Sequence, residues 1–300
     1  MHNKSESESS MQKKVLIIGA KGMLGQALER VFRQDPQYVV FGWDRAEMDI
    51  TDKEDTELKI QAISPDIIIN AAAYNAVDLC EEDDAEYAKA LLLNDDAPTF
   101  LARVAMSQGA TFVHYSTDYI FGDAVASDDG FAENADPKPN CRYAQSKLVG
   151  EKAVRIIGGK YYVIRLSKLF GKPAGSDAGK KSFFEVMLSA GKTKGEVKAV
   201  DDEMSCFTYA PDLAQASKEL IESRSLFGVY HLVNESPATW YEGALELYKQ
   251  AGLKTKVIPV TSDAFPRPAK RPKFSVLLNT RRPLLRPYQE ALKEFLQQYR

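Results

Sequence analysis

Over the first half of the chain, short apolar runs alternate with stretches in which apolar residues recur at helical spacing. The run KVLIIG at 14–19 is β-branched and apolar throughout, as a parallel strand buried on both faces requires. The next segment, QALERVFRQ, sets Ala27, Leu28, Val31 and Phe32 on one helical face. The same reading predicts a strand at Tyr38–Trp43, a helix over 53–63, a strand from Ile67 running out through Tyr74, helix over 78–108, and a strand at Ala110–Tyr115. This alternation predicts an α/β fold with a doubly wound parallel sheet, whose ligands bind at the carboxyl ends of the strands. From about residue 165 the pattern loosens. Amphipathic helices are expected at 183–190 and 211–223, with a closing helix over Tyr288–Tyr299.

The first strand ends in Gly19-Ala20-Lys21-Gly22-Met23-Leu24-Gly25. A Gly-x-x-Gly-x-x-Gly turn between a strand and a helix is the setting of a dinucleotide fingerprint. The glycines let backbone approach a pyrophosphate, and the helix N-terminus supplies N–H donors and a positive dipole end. The second strand ends at Asp44, close to the offset at which a carboxylate binds adenosine ribose hydroxyls. An acid there argues for NADH, whereas Arg45 beside it suits the 2′-phosphate of NADPH, so both cofactors stay open. Three alanines at 71–73 leave room either for a ligand or for tight helix packing.

The stretch PNCRYAQSKLVGE at 139–151 holds Tyr143 and Lys147 four residues apart. On a helix this places their Cβ atoms about 5–6 Å apart on one face. A cation beside a phenol favours the phenolate and lowers its pKa from about 10, giving a proton donor suited to neutral pH. With Thr117 at the end of the fourth strand, the pair becomes a constellation of three.

Composition narrows the functional classes. The net charge of −3 offers nothing to attract nucleic acid or an anionic membrane. No apolar run approaches the ~18 residues of a membrane span. Three scattered cysteines and three scattered histidines give neither a disulfide framework nor zinc spacing, and a reducing cytoplasm is the expected location. Residues 1–12 lack an apolar h-region and are expected to form a disordered tail. Basic residues cluster at Arg267–Arg286, either as a site for a small anion or as a solvated face.

Taken together, these segments resemble an extended short-chain dehydrogenase/reductase and, more narrowly, the dTDP-4-dehydrorhamnose reductase family. The resemblance runs from 14 to about 285. It rests on the glycine turn, NAAAYNAVDLCEEDDAE at 70–86, STDYIFG at 116–122, YAQSKLVGE at 143–151, IRLSKLFG at 164–171, DDEMSCFTYAPDLA at 201–214, GVYHLVN at 228–234 and RPAKRPKFSVLLNT at 267–280. It implies a Rossmann-like domain over 13–165 and a smaller substrate lobe over 166–300, some of whose segments return to the main sheet. It also implies the reduction of the C4 ketone of dTDP-4-dehydro-L-rhamnose to dTDP-L-rhamnose, with hydride from NADPH or NADH and a proton from Tyr143.

The family roles carry over by motif. Gly19, Gly22, Met23, Leu24 and Gly25 would line the pyrophosphate, and Asp44 would hold the adenosine ribose. Asp49 and Ile50 would border the adenine, and Ala72, Ala73 and Tyr74 the middle of the cofactor. Lys147 would bind the nicotinamide ribose and tune Tyr143. Thr117 and Asp118 would face the sugar, and Arg271, with Arg267, Lys270 and Lys273, would meet its diphosphate. A carboxylate-bound Mg²⁺, which the sequence does not support, and a homodimer are left open. The loop GKPAGSDAGKKS at 171–182 is expected to order on substrate.

Two departures bear on the substrate. The family commonly sets a tryptophan against the sugar where this chain has Lys168, and a proline turn is replaced by Cys206-Phe207. Both are expected to lie where substrate lies. A sister reductase of another nucleotide-linked 4-keto-6-deoxy sugar is therefore an alternative. So is a non-catalytic subunit like the regulatory subunit of methionine adenosyltransferase.

Overall fold

The computed structural model describes residues 12–175 and 181–299. The expectation of a disordered tail at 1–12 lies outside them except for Gln12, and residues 176–180 of the loop at 171–182 lie outside as well.

Five strands, β1 (Lys13–Ile18), β2 (Tyr38–Trp43), β3 (Ile67–Asn70), β4 (Thr111–Thr117) and β5 (Tyr161–Leu166), alternate with helices. These are α1 (Met23–Arg33), α2 (Lys53–Ile63), α3 (Leu79–Glu82), α4 (Asp84–Leu91), α5 (Ala97–Ser107) and α6 (Arg142–Ile157). The continuous helical stretch expected over 78–108 is broken twice. Asp83 adopts extended backbone and caps α4 by accepting from Ala85 N at 2.7 Å. A wide π-type turn, Leu92–Asp96, then joins α4 to α5. The fourth strand extends two residues beyond its expected end, because its pairing with β5 continues to Thr117 opposite Leu166.

Beyond β5 come β6 (Leu169–Phe170), α7 (Phe183–Thr193), β7 (Glu196–Val200), β8 (Met204–Ser205), β9 (Thr208–Tyr209), α8 (Ala210–Glu222), β10 (Gly228–His231) and β11 (Asn234–Glu235). The chain closes with α9 (Trp240–Ala251), β12 (Lys256–Val260), β13 (Phe274–Ser275), β14 (Leu285–Pro287) and α10 (Tyr288–Gln297).

The main sheet is wholly parallel, in the order β10-β5-β4-β3-β1-β2. One face packs with α1 and α8 into a core around Val15, Ile17, Leu28 and Leu213. The other packs with α2, α5 and α6 around Leu16, Ile68, Leu101 and Val154. Burial on both faces explains the unbroken apolar runs of β1 and β3. The remaining strands form two-stranded parallel pairs, β6 with β9, β7 with β12, β8 with β13 and β11 with β14. With α7, α9 and α10 they enclose an aromatic core of Phe170, Phe184, Phe207, Tyr288 and Phe295.

The order of the sheet reverses between β1 and β3, since β2 lies to one side of β1 and β3 to the other. Such a switch point opens a crevice at the strand C-termini. Here the glycine turn after β1 and the alanines after β3 meet.

Candidate active site

Sterics dictate the turn after β1. Gly19 has φ +79°, and a Cβ there would lie 2.8 Å from Ala72 N. A Cβ on Gly25 would lie 2.0 Å from Gly19 O. The first N–H groups of α1 have no intrahelical acceptor, and the N-cap, Gly22, contributes no side-chain cap. A Cβ on Gly22 would meet only Gly19 O, at 3.1 Å, so the space before the helix is open among the described residues. An open N-terminus with small residues around it fits an anionic diphosphate. Downstream, Gly175 N donates to Lys21 O at 2.9 Å and Gln26 Nε2 to Pro173 O at 3.0 Å, so the start of the 171–182 loop runs along this turn.

At the end of β2, Asp44 Oδ1 accepts from Arg45 N at 2.8 Å. Arg45 is exposed and pairs with Asp49 at 3.4 Å. The Asp49 carboxyl also accepts from Thr51 N and Thr51 Oγ1, and these bonds hold it below the usual carboxylate range. The Ile50 side chain belongs to the core, so only its backbone is placed to border a ligand. The Tyr74 phenol donates to Glu86, while both Tyr74 backbone groups bind the side chain of Asn94.

Helix α6 is pinned to the sheet by a buried pair, Arg165 on β5 clasping Glu151 at 2.5 and 3.0 Å. This anchors the face that carries Tyr143 and Lys147. Lys147 is 3% exposed and donates from Nζ to Tyr115 O at 2.6 Å. Burial depresses its pKa to about 8, against the pull of Glu151 one turn on. The Tyr143 hydroxyl donates to Asn75 Oδ1 at 3.3 Å, and its ring meets Tyr119 edge-on at 5.9 Å between centroids.

One expectation is corrected here. Tyr143 is raised, not lowered: burial dominates, and the neighbouring Tyr119 adds to it. Lys147 spends a donor on the β4 backbone, and its own charge is disfavoured by the same desolvation.

Thr117 ends β4, its Oγ1 accepting from Tyr119 N at 3.2 Å and meeting Asp118 Oδ1 at 3.2 Å. Asp118 was expected to face a sugar. Instead it is buried, and its carboxyl turns inward to Ser167 and Ser275.

The lobe positions also differ from expectation. Cys206 and Phe207 are 2% and 1% exposed, filling the cores beneath the site, so neither side chain is available to a ligand. Lys168 has φ +36°, an uncommon conformation for a side-chain-bearing residue. Its Nζ donates to Ala238 O at 2.9 Å and Glu203 O at 3.2 Å, and it lies 4.3 Å from the Trp240 ring centre. The missing tryptophan thus has an indole near its place, supplied by α9. Arg271 grips Asp78 through both Nη atoms at 2.6 and 2.7 Å, so its fork is taken within the protein.

Sequence reasoning missed Asn75, Asn94, Ser167, Ser275 and Trp240. Asn94, in the π-type turn, also donates to Ser146 Oγ, between Tyr143 and Lys147 on α6. An asparagine within a helical stretch was the one signal that could have flagged it. Among the described residues no cluster of His, Cys, Asp and Glu is set to hold a metal ion, and no helix is long and apolar enough to cross a membrane.

Comparison with known proteins fits this geometry. Residues 13–300 match the family model of the RmlD substrate binding domain. The chain is 33% identical over 291 residues to the spore coat polysaccharide biosynthesis protein SpsK of Bacillus subtilis strain 168, covering 95% of this chain and 97% of that one. It is 33% identical over 297 residues to the dTDP-4-dehydrorhamnose reductase of Burkholderia thailandensis, covering 94% and 92%. The crystal structure of dTDP-4-dehydrorhamnose reductase from Bacillus anthracis strain Ames in complex with NADP superposes with a TM-score of 0.88 at 32% identity, over 96% of this chain and 100% of that one. A strand, glycine turn and helix at the start of the sheet, a buried Tyr-Lys pair on α6 and these full-length matches lead to one conclusion: the chain belongs to the dTDP-4-dehydrorhamnose reductase family.

Proposed function

We propose that this chain reduces the C4 ketone of dTDP-4-dehydro-L-rhamnose to dTDP-L-rhamnose, using NADPH. The observation that carries the reading is the buried Thr117, Tyr143 and Lys147 set beside a glycine turn whose donors are open. The backbone of Gly22, Met23 and Leu24 holds the cofactor diphosphate, with Gly19 and Gly25 shaping the turn. Asp44 holds the adenosine ribose, and the exposed Arg45 is available to a 2′-phosphate. Ala72 and Ala73 let the cofactor pass close to β3, and Lys147 holds the nicotinamide ribose. The reduced nicotinamide supplies the hydride.

The chain's own residues govern the proton. Burial keeps Tyr143 protonated at neutral pH, so Oη carries its proton until negative charge grows on the substrate oxygen. A positioned acid of this kind contributes about 10²–10⁴ in rate, and a preorganised donor such as Thr117 about 10²–10³. Three free, buried cysteines suit action in the cytoplasm.

Purified protein should consume NADPH in equal amount with dTDP-4-dehydro-L-rhamnose and yield dTDP-L-rhamnose. Absence of consumption with that nucleotide would refute the reading. A second reading, reduction of another nucleotide-linked 4-keto-6-deoxy sugar, is favoured by Lys168 stacked on Trp240. Higher kcat/KM on another member of a keto-sugar nucleotide panel would select it.

A further inference from the structure

Asp118 is a carboxyl group almost without water, 3% exposed at the start of the short turn Asp118–Phe121 that follows β4. Its oxygens meet hydroxyls rather than cations. Ser167 Oγ, just past β5, donates to Oδ2 at 2.8 Å. Ser275 Oγ, on β13, donates to the same oxygen at 2.6 Å. At Oδ1 stands Thr117 Oγ1, at 3.2 Å.

Proton counting separates two states of this cluster. A hydroxyl has one proton to give, and an ionised carboxylate has none. If Asp118 is ionised, Thr117 gives its proton to Oδ1 and has nothing to offer a substrate oxygen. If Asp118 is neutral, Oδ2 is the carbonyl oxygen that accepts both serines, and Oδ1 carries a proton. Both states let two hydroxyls converge on Oδ2; the second is favoured because the carboxyl is buried with hydroxyls and, among the described residues, no cation on either oxygen, where an unpaired charge is costly.

We propose that Asp118 is a positioning residue held as a neutral carboxylic acid. Its Oδ1–H is donated to Thr117 Oγ1, which turns the Thr117 proton toward the carbonyl oxygen of the substrate. The target of that proton rests on the reaction proposed above; the placement of protons within the cluster does not. Burial acts in the same direction, raising the Asp118 carboxyl above its usual range, while the two serine donors, then the Lys168 charge and the Thr117 hydroxyl, oppose it. The titratable groups that feel this carboxyl are Tyr119 on its own turn, Tyr143 on α6, Lys168 past β5 and Cys206 past β8. Lys168 is the cation among them, and its ammonium is engaged by two carbonyls and the Trp240 ring. Because Ser275 belongs to a lobe strand, seating of the lobe and orientation of Thr117 are linked through one carboxyl.

Neutron diffraction on exchanged crystals of the full chain tests the assignment without any variant. Deuterium on Asp118 Oδ1, directed at Thr117, is expected; deuterium on Thr117 Oγ1 directed at Asp118 overturns the proposal. Turnover supplies a second arm, with parent, Asp118→Leu and Asp118→Asn compared on the keto sugar nucleotide. Asp118→Leu should lose about 10²-fold in kcat, and Asp118→Asn, whose amide accepts from the serines and donates to Thr117, should recover about tenfold of that. Equal loss in both variants at an unchanged Tm overturns the proposal. A parent that does not reduce the ketone refutes the reaction of the preceding section and leaves the neutron map to decide where the proton lies.

Discussion

The turn at 19–25 and the strap at 267–273 are both places where the sequence promised an anion, and they are built in opposite ways. At the turn the donors are backbone N–H groups, left open because glycine permits a fold that any Cβ would obstruct. A ligand arriving there displaces water. In the strap each cation already has a carboxylate: Arg267 with Glu203, Lys270 with Asp123, Arg271 with Asp78 and Lys273 with Asp202. A ligand arriving there must displace an ion pair. A run of basic residues therefore overstates the field it offers, whereas a glycine turn of this kind understates it. The Tyr143 hydroxyl, which donates to Asn75, belongs to neither region.

The largest expected effect tests that last point. Tyr143→Phe should lower kcat by about 10²–10⁴ while NADPH affinity, read by calorimetry, stays near that of the parent. Parental turnover in this variant would remove the chemistry from the crevice.

Next is Gly25→Ala. Its methyl would press on Gly19 O, so the turn must open. We expect a loss of about 2–3 kcal/mol in NADPH binding, roughly 30- to 150-fold in Kd. Unchanged binding would mean that the turn is not the rigid cradle contrasted with the strap.

A smaller effect, graded with pH, separates the buried cation from the strap cations. Lys147 has a folded pKa of about 8, below the ordinary lysine value, so its charge is lost as pH rises through about 8. kcat/KM should then fall, approaching about tenfold per pH unit, and the limb should be absent in a Lys147→Met variant measured at its own residual rate. Stability runs the other way. Above about pH 8 the unfolded chain still holds this proton and the folded chain does not, so Lys147 penalises folding less as pH rises toward the unfolded value. A kcat/KM flat to pH 10 would place the ammonium in a wetter setting than the structure shows.

The smallest effects lie in the strap itself. Arg271→Met strands Asp78 and should cost about 1–3 kcal/mol in thermal unfolding, whereas Lys273→Met, at an exposed pair, should stay within about 1 kcal/mol. If Lys273→Met weakened binding of the sugar nucleotide tenfold without a change in Tm, the strap would be reading the ligand despite its internal pairs.

Much of the fold could be read in advance because its signals are local. Strand β1, the glycine turn and α1 follow from one apolar run, three glycines and a helical stripe. Tyr143 and Lys147 are four residues apart on α6, and helical geometry alone sets them on one face. The break at Asp83 and the π-type turn were not legible. The first rests on Asp83 capping α4, and the second on Asn94 reaching Tyr74 and Ser146, with the Asn94 backbone so close to α6 that a Cβ on Gly150 would lie 1.9 Å from its carbonyl oxygen. Cys206 and Phe207 looked like substrate contacts because they replace a turn; Phe207 became core because α9 and α10 close over it, and Cys206 because it packs with Phe121, Val233 and Leu277.

By itself the sequence determined the doubly wound architecture, the glycine turn between β1 and α1, and the placing of Tyr143 and Lys147 on one face of α6. Backbone geometry ties each of these to spacing within a few residues. Only the tertiary structure decided the electrostatic state of the site: Tyr143 raised, Lys147 lowered, Asp118 turned inward, Lys168 stacked on Trp240 and Arg271 held by Asp78. Those outcomes depend on which groups lose water and which partners arrive from distant segments. Desolvation and long-range pairing follow from packing, which no local spacing encodes.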